Sequence, residues 1–310
     1  MSRSGSGALT VAGYRVGALA SRLVPLSLTD LVSGGVAIPA LVASSDKRKM
    51  VERHLERAVP DASPARRRRL VSQVFDNYAR YYLESFRLPS VPESVVARHF
   101  TIDGFEHVQN GLAGGKGVVV ALPHLGGWEW AGRWITDQGI PMTVVVERLE
   151  PPELFEWFVD LRRQFGMTVV PLGPEAGPAV LGALRRNEIV CLLCDRFISG
   201  AGVTVDFLGE RTILPAGPAT VAIRSGAPLL PTAVYFQGRG AGHHAVVRPP
   251  LDTTRGDDSL RRAVTRVTQT LTDEIGGLVR RAPEQWHLLQ PNWPSDPGWM
   301  HGSLDDPDED

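Results

Sequence analysis

A histidine and a glutamate five positions apart, with two glycines between them, are the residues of this chain best placed for chemistry: Leu122-Pro123-His124-Leu125-Gly126-Gly127-Trp128-Glu129-Trp130. A carboxylate on one ring nitrogen of an imidazole selects the tautomer and leaves the other nitrogen as a general base. The spacing puts Glu129 at the start of a helix, within about one turn of His124 and able to reach back to the ring. Such an H-x4-E pair suits removal of a proton from a hydroxyl, and therefore group transfer to that hydroxyl. Taken as a bare spacing it is weak, since Glu129 also stands four residues before Arg133 and would pair with it on a helix surface. The surroundings favour chemistry: an apolar run before, glycines within and a helical pattern after.

The apolar run is Val118-Val119-Val120-Ala121, which reads as a strand buried on both faces. His124 then falls at a strand end, where open α/β sheets carry their sites. Two further buried strands end in charge: Val144-Val145-Val146 runs into Glu147-Arg148, and Ile189-Val190-Cys191-Leu192-Leu193-Cys194 runs into Asp195-Arg196. Asp195 and Arg196 either pair with each other or face a substrate. Candidate strands span 117–122, 142–146, 168–171, 189–194, 203–207, 228–236 and 244–248, and helical patterns fall at 126–138, 151–165, 175–186, 215–225 and 257–281. This alternation predicts an α/β fold, a central mostly parallel sheet with crossover helices. The front of the chain reads as an added helical region. Ser63-Pro64 starts one helix there, with Leu70, Val74, Tyr78, Tyr81 and Phe86 along a face, and Pro89 and Pro92 end it. The segment at 214–219 reads as a loop turning into a helix, whose free N–H groups suit a phosphate or an oxyanion.

Composition narrows the function classes. A formal net charge of −1 excludes a strongly basic nucleic-acid binder, yet residues 1–88 hold 14 basic against 7 acidic side chains, an excess of +7. With the apolar series Leu9, Ala12, Val16, Leu19 and Leu23 at helical spacing, this cationic front suits an anionic membrane surface. A helix face packed on the core, or a solvated arginine-rich face, gives the same pattern. The longest stretch without an acid or a Lys or Arg, 31–45, is too short to span a bilayer. No secretory signal stands out, because Arg15 interrupts the early apolar run. Cys191 and Cys194 form C-x-x-C on a strand, where positions three apart face opposite ways, so they read as small apolar residues in a reducing compartment. There is no nucleophile elbow, no phosphate loop and no H-E-x-x-H helix, so no metal or bound cofactor is expected. Asp305, Asp306, Asp308, Glu309 and Asp310 make an acidic tail.

The block at 121–132 resembles the H-x4-[DE] block of the bacterial lipid A biosynthesis acyltransferase family, and more narrowly the actinobacterial phosphatidylinositol mannoside acyltransferases. Val146-Glu147-Arg148-Leu149, Val190-Cys191-Leu192-Leu193-Cys194-Asp195-Arg196, Val205-Asp206-Phe207-Leu208-Gly209-Glu210, Leu214-Pro215-Ala216-Gly217-Pro218-Ala219 and Trp286-His287-Leu288-Leu289-Gln290-Pro291 extend the likeness, in order, over about 70–295. The resemblance implies a glycerolipid acyltransferase-like fold and transfer of an acyl chain from acyl-CoA to a membrane glycolipid at the cytoplasmic face. It implies His124 as general base and Glu129 as its partner, with Glu147, Arg162 and Asp195 at polar active-site positions. Arg196 joins them as a substrate-binding candidate. The mannoside enzymes carry Asp at the place of Glu129 and Glu at that of Asp195. Phe197 stands where an acidic residue often follows the arginine.

The expected organisation is a membrane-associating helical region at 1–90, an acyltransferase core at 91–295 and a disordered acidic tail at 296–310. The expected partners are acyl-CoA as co-substrate, the glycolipid acceptor and an anionic membrane surface, with no nucleic acid. Two other readings use the same residues: a thioesterase-like hydrolase in which the dyad activates water, and a peripheral lipid-binding protein without turnover.

Overall fold

A computed structural model describes residues 44–238 and 242–301, together with Ser21. The apolar series at 9–23 and the acidic residues at 305–310 lie outside them. Seven strands form the central sheet: β1 (Phe100–Asp103), β2 (Val118–Leu122), β3 (Met142–Val146), β4 (Met167–Pro171), β5 (Ile189–Leu193), β8 (Leu229–Phe236) and β9 (His243–Val247), in the order β1-β9-β8-β2-β5-β3-β4. Every neighbouring pair is parallel except β8 with β9. The α/β class and the mostly parallel sheet predicted from the alternation are therefore found.

β2 shows why the sheet is central. All five of its residues are buried, and they divide between two cores by alternation. Val119 and Ala121 face one core with Val190, Leu229 and Val267, whereas Val118, Val120 and Leu122 face the other with Phe158, Leu161 and Met167. A strand covered on both faces needs apolar residues at every position, and that continuity is what the sequence displays. The first core is covered by α7 (Ala176–Arg185), α8 (Gly217–Ser225) and the long α9 (Leu260–Arg281), and the second by α5 (Trp128–Asp137) and α6 (Pro152–Arg163).

The described front of the chain is helical: α1 (Ser45–Ala58) and α2 (Pro64–Arg87) bury Val51, Leu55, Leu70, Val74 and Phe75 against each other and against Leu289. Ser63 caps α2 by accepting from the Arg66 N–H at 3.3 Å, with Pro64 in the first turn. No helix among the described residues is long and apolar enough to cross a membrane.

Five elements escaped the sequence reading or changed place. Two short helices, α3 (Glu93–Arg98) and α4 (Phe105–Ala113), flank β1, whose four residues are too few to show a period. The strand expected at 203–207 is β6 (Gly202–Phe207), which pairs antiparallel with β7 (Glu210–Pro215) in a separate two-stranded sheet. β7 was hidden because its start, Glu210-Arg211-Thr212, is polar, although Thr212 is fully buried.

Candidate active site

β2, β5 and β3 are adjacent and parallel, so their C-terminal ends share one edge of the sheet. That edge brings together His124, Asp195-Arg196 and Glu147. The backbone after β2 is held by a glycine that nothing else replaces. Gly126 has φ +59, and a Cβ there would lie 1.8 Å from the Val234 carbonyl oxygen. A Cβ on Gly127 would lie 2.4 Å from the His243 ring, which stacks on Trp130 with centroids 4.5 Å apart. The glycines thus admit close approach of the protein's own strands β8 and β9.

The carboxylate on the imidazole is Asp195. His124 Nδ1 lies 2.7 Å from Asp195 Oδ1, and the His124 main-chain N–H donates to Asp195 Oδ2 at 3.0 Å. Asp195 is completely buried. Burial alone would raise its pKa, but the facing His124 ring, with the hydrogen bonds from His124 and Trp286, outweighs it and holds the carboxyl below the usual range. An ionised Asp195 takes the proton-bearing Nδ1 as its donor, so Nε2 carries the lone pair. Nε2 has no hydrogen-bond partner among the described residues, and the His124 side chain is 29% exposed on a cavity of about 290 Å³.

Glu129 does something else. Only 1% exposed, it accepts from Arg162 Nη2 at 2.7 Å and from the Tyr81 hydroxyl at 3.1 Å through Oε1. The expected hydrogen bond from Glu129 to the His124 ring is absent, and so is the alternative pairing with Arg133, which binds Asp137 at 2.6 Å. The physical reason is the left-handed turn at Gly126, which lets α5 enter the second core with Trp128, Glu129 and Trp130 all buried. Arg162 lies beside the Trp128 and Phe158 rings, 5.2 and 5.6 Å from their centroids, and lines the cavity. Burial works against its charge, and Glu129 more than compensates.

The remaining sequence candidates divide. Glu147 and Arg196 both line the cavity and pair with each other at 3.2 Å. Asp195 and Arg196 therefore neither pair together nor both face the cavity. Asp195, expected among the substrate-binding groups, is occupied by protein donors on both oxygens. Cys191 and Cys194 are buried free thiols; burial pushes Cys191 up to about 12 and Cys194 well above its ordinary value, so neither supplies a thiolate.

Several residues that line the cavity or stand behind it carry no site signal in the sequence. Tyr78, Tyr81 and Tyr82 come from α2, which thereby forms a wall of the site besides belonging to the helical front. Their spacing is a helix face and reads as core. Trp286 and His287 lie in a block noticed only by resemblance. Trp286 Nε1 donates to Asp195 Oδ2 at 2.7 Å, and Asn292 Nδ2 donates to the Asp195 carbonyl at 2.9 Å. Asp296, placed in the tail by composition, is 3% exposed and accepts from the Asn292 N–H at 2.9 Å.

His287 lines the cavity beside His124, and its burial, with the His124 ring nearby, pushes its pKa down to about 3. The unfolded chain takes up this proton near pH 6.5 and the folded one only near 3. Stability from this neutral ring is therefore complete above about pH 6.5 and is lost as pH falls toward 3. A His287→Phe variant is expected to show a shallower loss of urea midpoint between about pH 6.5 and 4.5 than the parent. Parallel slopes would mean that His287 binds its proton equally in both states.

The chain matches the bacterial lipid A biosynthesis acyltransferase family over residues 8–295. It is 41% identical to the phosphatidylinositol mannoside acyltransferase of Mycobacterium tuberculosis over 244 residues, 77% of this chain and 72% of the relative. With the phosphatidylinositol mannoside acyltransferase of Mycolicibacterium smegmatis it shares 37% identity over 293 residues, 94% of this chain and 93% of the relative. The lipid A biosynthesis palmitoleoyltransferase of Escherichia coli is more distant, at 23% identity over 81% of each chain. The protein is thus an acyl-transferring enzyme, and it belongs to the bacterial lipid A biosynthesis acyltransferase family.

Proposed function

We propose that this enzyme moves a fatty acyl chain from acyl-CoA to a hydroxyl of a membrane glycolipid, a phosphatidylinositol mannoside, with His124 as general base. The observation that carries the reading is the His124–Asp195 pair at 2.7 Å opening on the cavity. Nε2 takes the proton of the acceptor hydroxyl as that oxygen attacks the thioester carbonyl carbon. Asp195 stabilises the imidazolium that forms. When the C–S bond breaks, the imidazolium proton goes to the departing thiolate, leaving the ester, free CoA and neutral His124. Among the described residues no serine or cysteine hydrogen-bonds the His124 ring, although Ser199 lines the same cavity, and this supports direct transfer.

The cavity suits two unlike substrates. Trp128, Phe158, Leu172 and Leu193 offer apolar surface, and Glu147, Arg162 and Arg196 offer charge. The mannoside acceptor rests on the names of the relatives at 37–41% identity. The test is transfer of labelled palmitoyl from palmitoyl-CoA to purified phosphatidylinositol mannosides, with water and lipid A precursors as competing acceptors. Release of free acid at the same rate without acceptor would favour the hydrolase instead.

We infer a peripheral position on the cytoplasmic face of the membrane. On the described surface, Lys47, Arg48, Lys49, Arg53, Arg66, Arg68 and Arg69 are exposed on α1 and α2. Each basic residue near an anionic surface contributes on the order of 1 kcal/mol, and salt screens it. Binding to phosphatidylglycerol vesicles is expected to exceed binding to phosphatidylcholine vesicles and to fall with ionic strength. Reversing Lys47, Lys49, Arg68 and Arg69 to Glu is expected to weaken it further. Equal binding to both vesicles at low salt would show a merely solvated face.

A further inference from the structure

We propose that Trp286 is a positioning residue of the acyl-transfer site, presenting Asp195 to His124 and limiting the basicity of that carboxylate. The inference rests on the general-base reading of His124.

One short segment grips both members of the pair. On the His124 side, the Gly126 N–H donates to the Gln285 carbonyl at 3.0 Å and the His287 N–H donates to the His124 carbonyl at 2.7 Å. Leu125 and Trp286 form an antiparallel bridge between these bonds. On the Asp195 side, Trp286 binds Oδ2 and Asn292 binds the main-chain carbonyl. The segment is anchored in turn. Asp296 Oδ2 accepts from the main-chain N–H groups of Asn292 and Trp293, and Asp296 pairs with Arg57 at 2.9 Å and His54 at 3.4 Å on α1. Residues about 90 and 160 positions away in sequence are thereby held in one register.

Trp286 is 2% exposed, so its indole N–H needs an acceptor, and a neutral carbonyl would satisfy it. Trp293, fully buried in the same segment, does that: its N–H donates to the Phe207 carbonyl at 3.3 Å. Trp286 donates to a fully desolvated carboxylate oxygen instead, where a hydrogen bond is stronger and changes the charge that His124 meets. The groups facing Asp195 are His124 from the β2 loop, Trp286 and Asn292 from the segment, and the adjacent Cys194 and the neutral His287. Removing the indole donor leaves Oδ2 with only the His124 amide. The carboxylate becomes more basic and favours the imidazolium more.

The experiment compares Trp286→Phe with Trp293→Phe in the full-length enzyme. Two readouts are taken: the ring-nitrogen NMR titration of His124, assigned by the signal missing in His124→Ala, and the pH profile of kcat/KM. Trp286→Phe is expected to raise the His124 midpoint by about half to one unit, and to move the acid limb of kcat/KM upward by the same amount. kcat at neutral pH falls several-fold and KM for the acyl donor holds. Trp293→Phe is expected to lose stability and move neither. A His124 midpoint that stays put in Trp286→Phe, falls, or shifts equally in Trp293→Phe overturns the proposal. If Trp286→Phe does not fold, benzothienylalanine at position 286 removes the N–H while keeping the ring volume, and the same outcomes decide. An active His124→Ala enzyme would sink the general-base reading, whereas the NMR titration still reports separately on Trp286.

Discussion

Replacing His124 by alanine is expected to lower turnover by about 10²–10⁴-fold, the usual cost of losing a positioned general base. The loss falls on kcat, because the apolar wall proposed for the acyl chain is made by other residues. The protein stays folded, since the His124 side chain is 29% exposed and lends little surface to either core. Asp195 is then a fully buried carboxylate without its imidazole, though it keeps the indole of Trp286 and the amide of residue 124. Some loss of stability follows, and far-UV circular dichroism with a urea titration separates it from loss of chemistry. Turnover within a few-fold of the parent in a folded His124→Ala protein would end the proposed mechanism.

Arg162→Met is expected to cost about 3–5 kcal/mol of stability, the range for breaking a buried ion pair from one side. Glu129 would be left 1% exposed with a charge and only Tyr81 for a donor. Glu129→Gln in the Arg162→Met background removes that stranded charge and keeps an acceptor for the Tyr81 hydroxyl, so more than half of the loss is expected to return. Urea midpoints of the two variants and the parent check both steps. A double variant no more stable than Arg162→Met would show that the loss comes from the packing of Arg162 on Trp128 and Phe158. This expectation also separates the two carboxylates, because Glu129 holds Arg162 on the wall of the cavity and Asp195 holds His124.

The strand and helix pattern was legible in the sequence wherever burial makes composition periodic or continuous. β2 and β5 are apolar throughout, and β3 and β8 nearly so, because helices cover both faces of the sheet, while α2 shows its cap and α9 its amphipathic stripe. The short β1 and the polar start of β7 carry no such signal, because their place is decided by what packs on them. Membership in a family of acyl-transferring enzymes was also readable, since the blocks that carry it lie along the chain in order.

The geometry of the site was half readable. His124, Glu147 and the pair Asp195-Arg196 were found because parallel strands deliver their ends to one edge, and a run of apolar residues marks each strand. Which carboxylate meets the imidazole was not readable. Spacing along the chain favoured Glu129, five residues away, over Asp195, 71 residues away. Strand order alone puts β5 beside β2, and the left-handed turn at Gly126 alone turns Glu129 into the second core. The sequence by itself determined the fold class, the position of His124 at a strand end and the family. Only the tertiary structure decided the partner of His124, the indole behind it and the tyrosine wall from α2, because hydrogen bonds form between neighbours in space and a linear pattern records only neighbours along the chain.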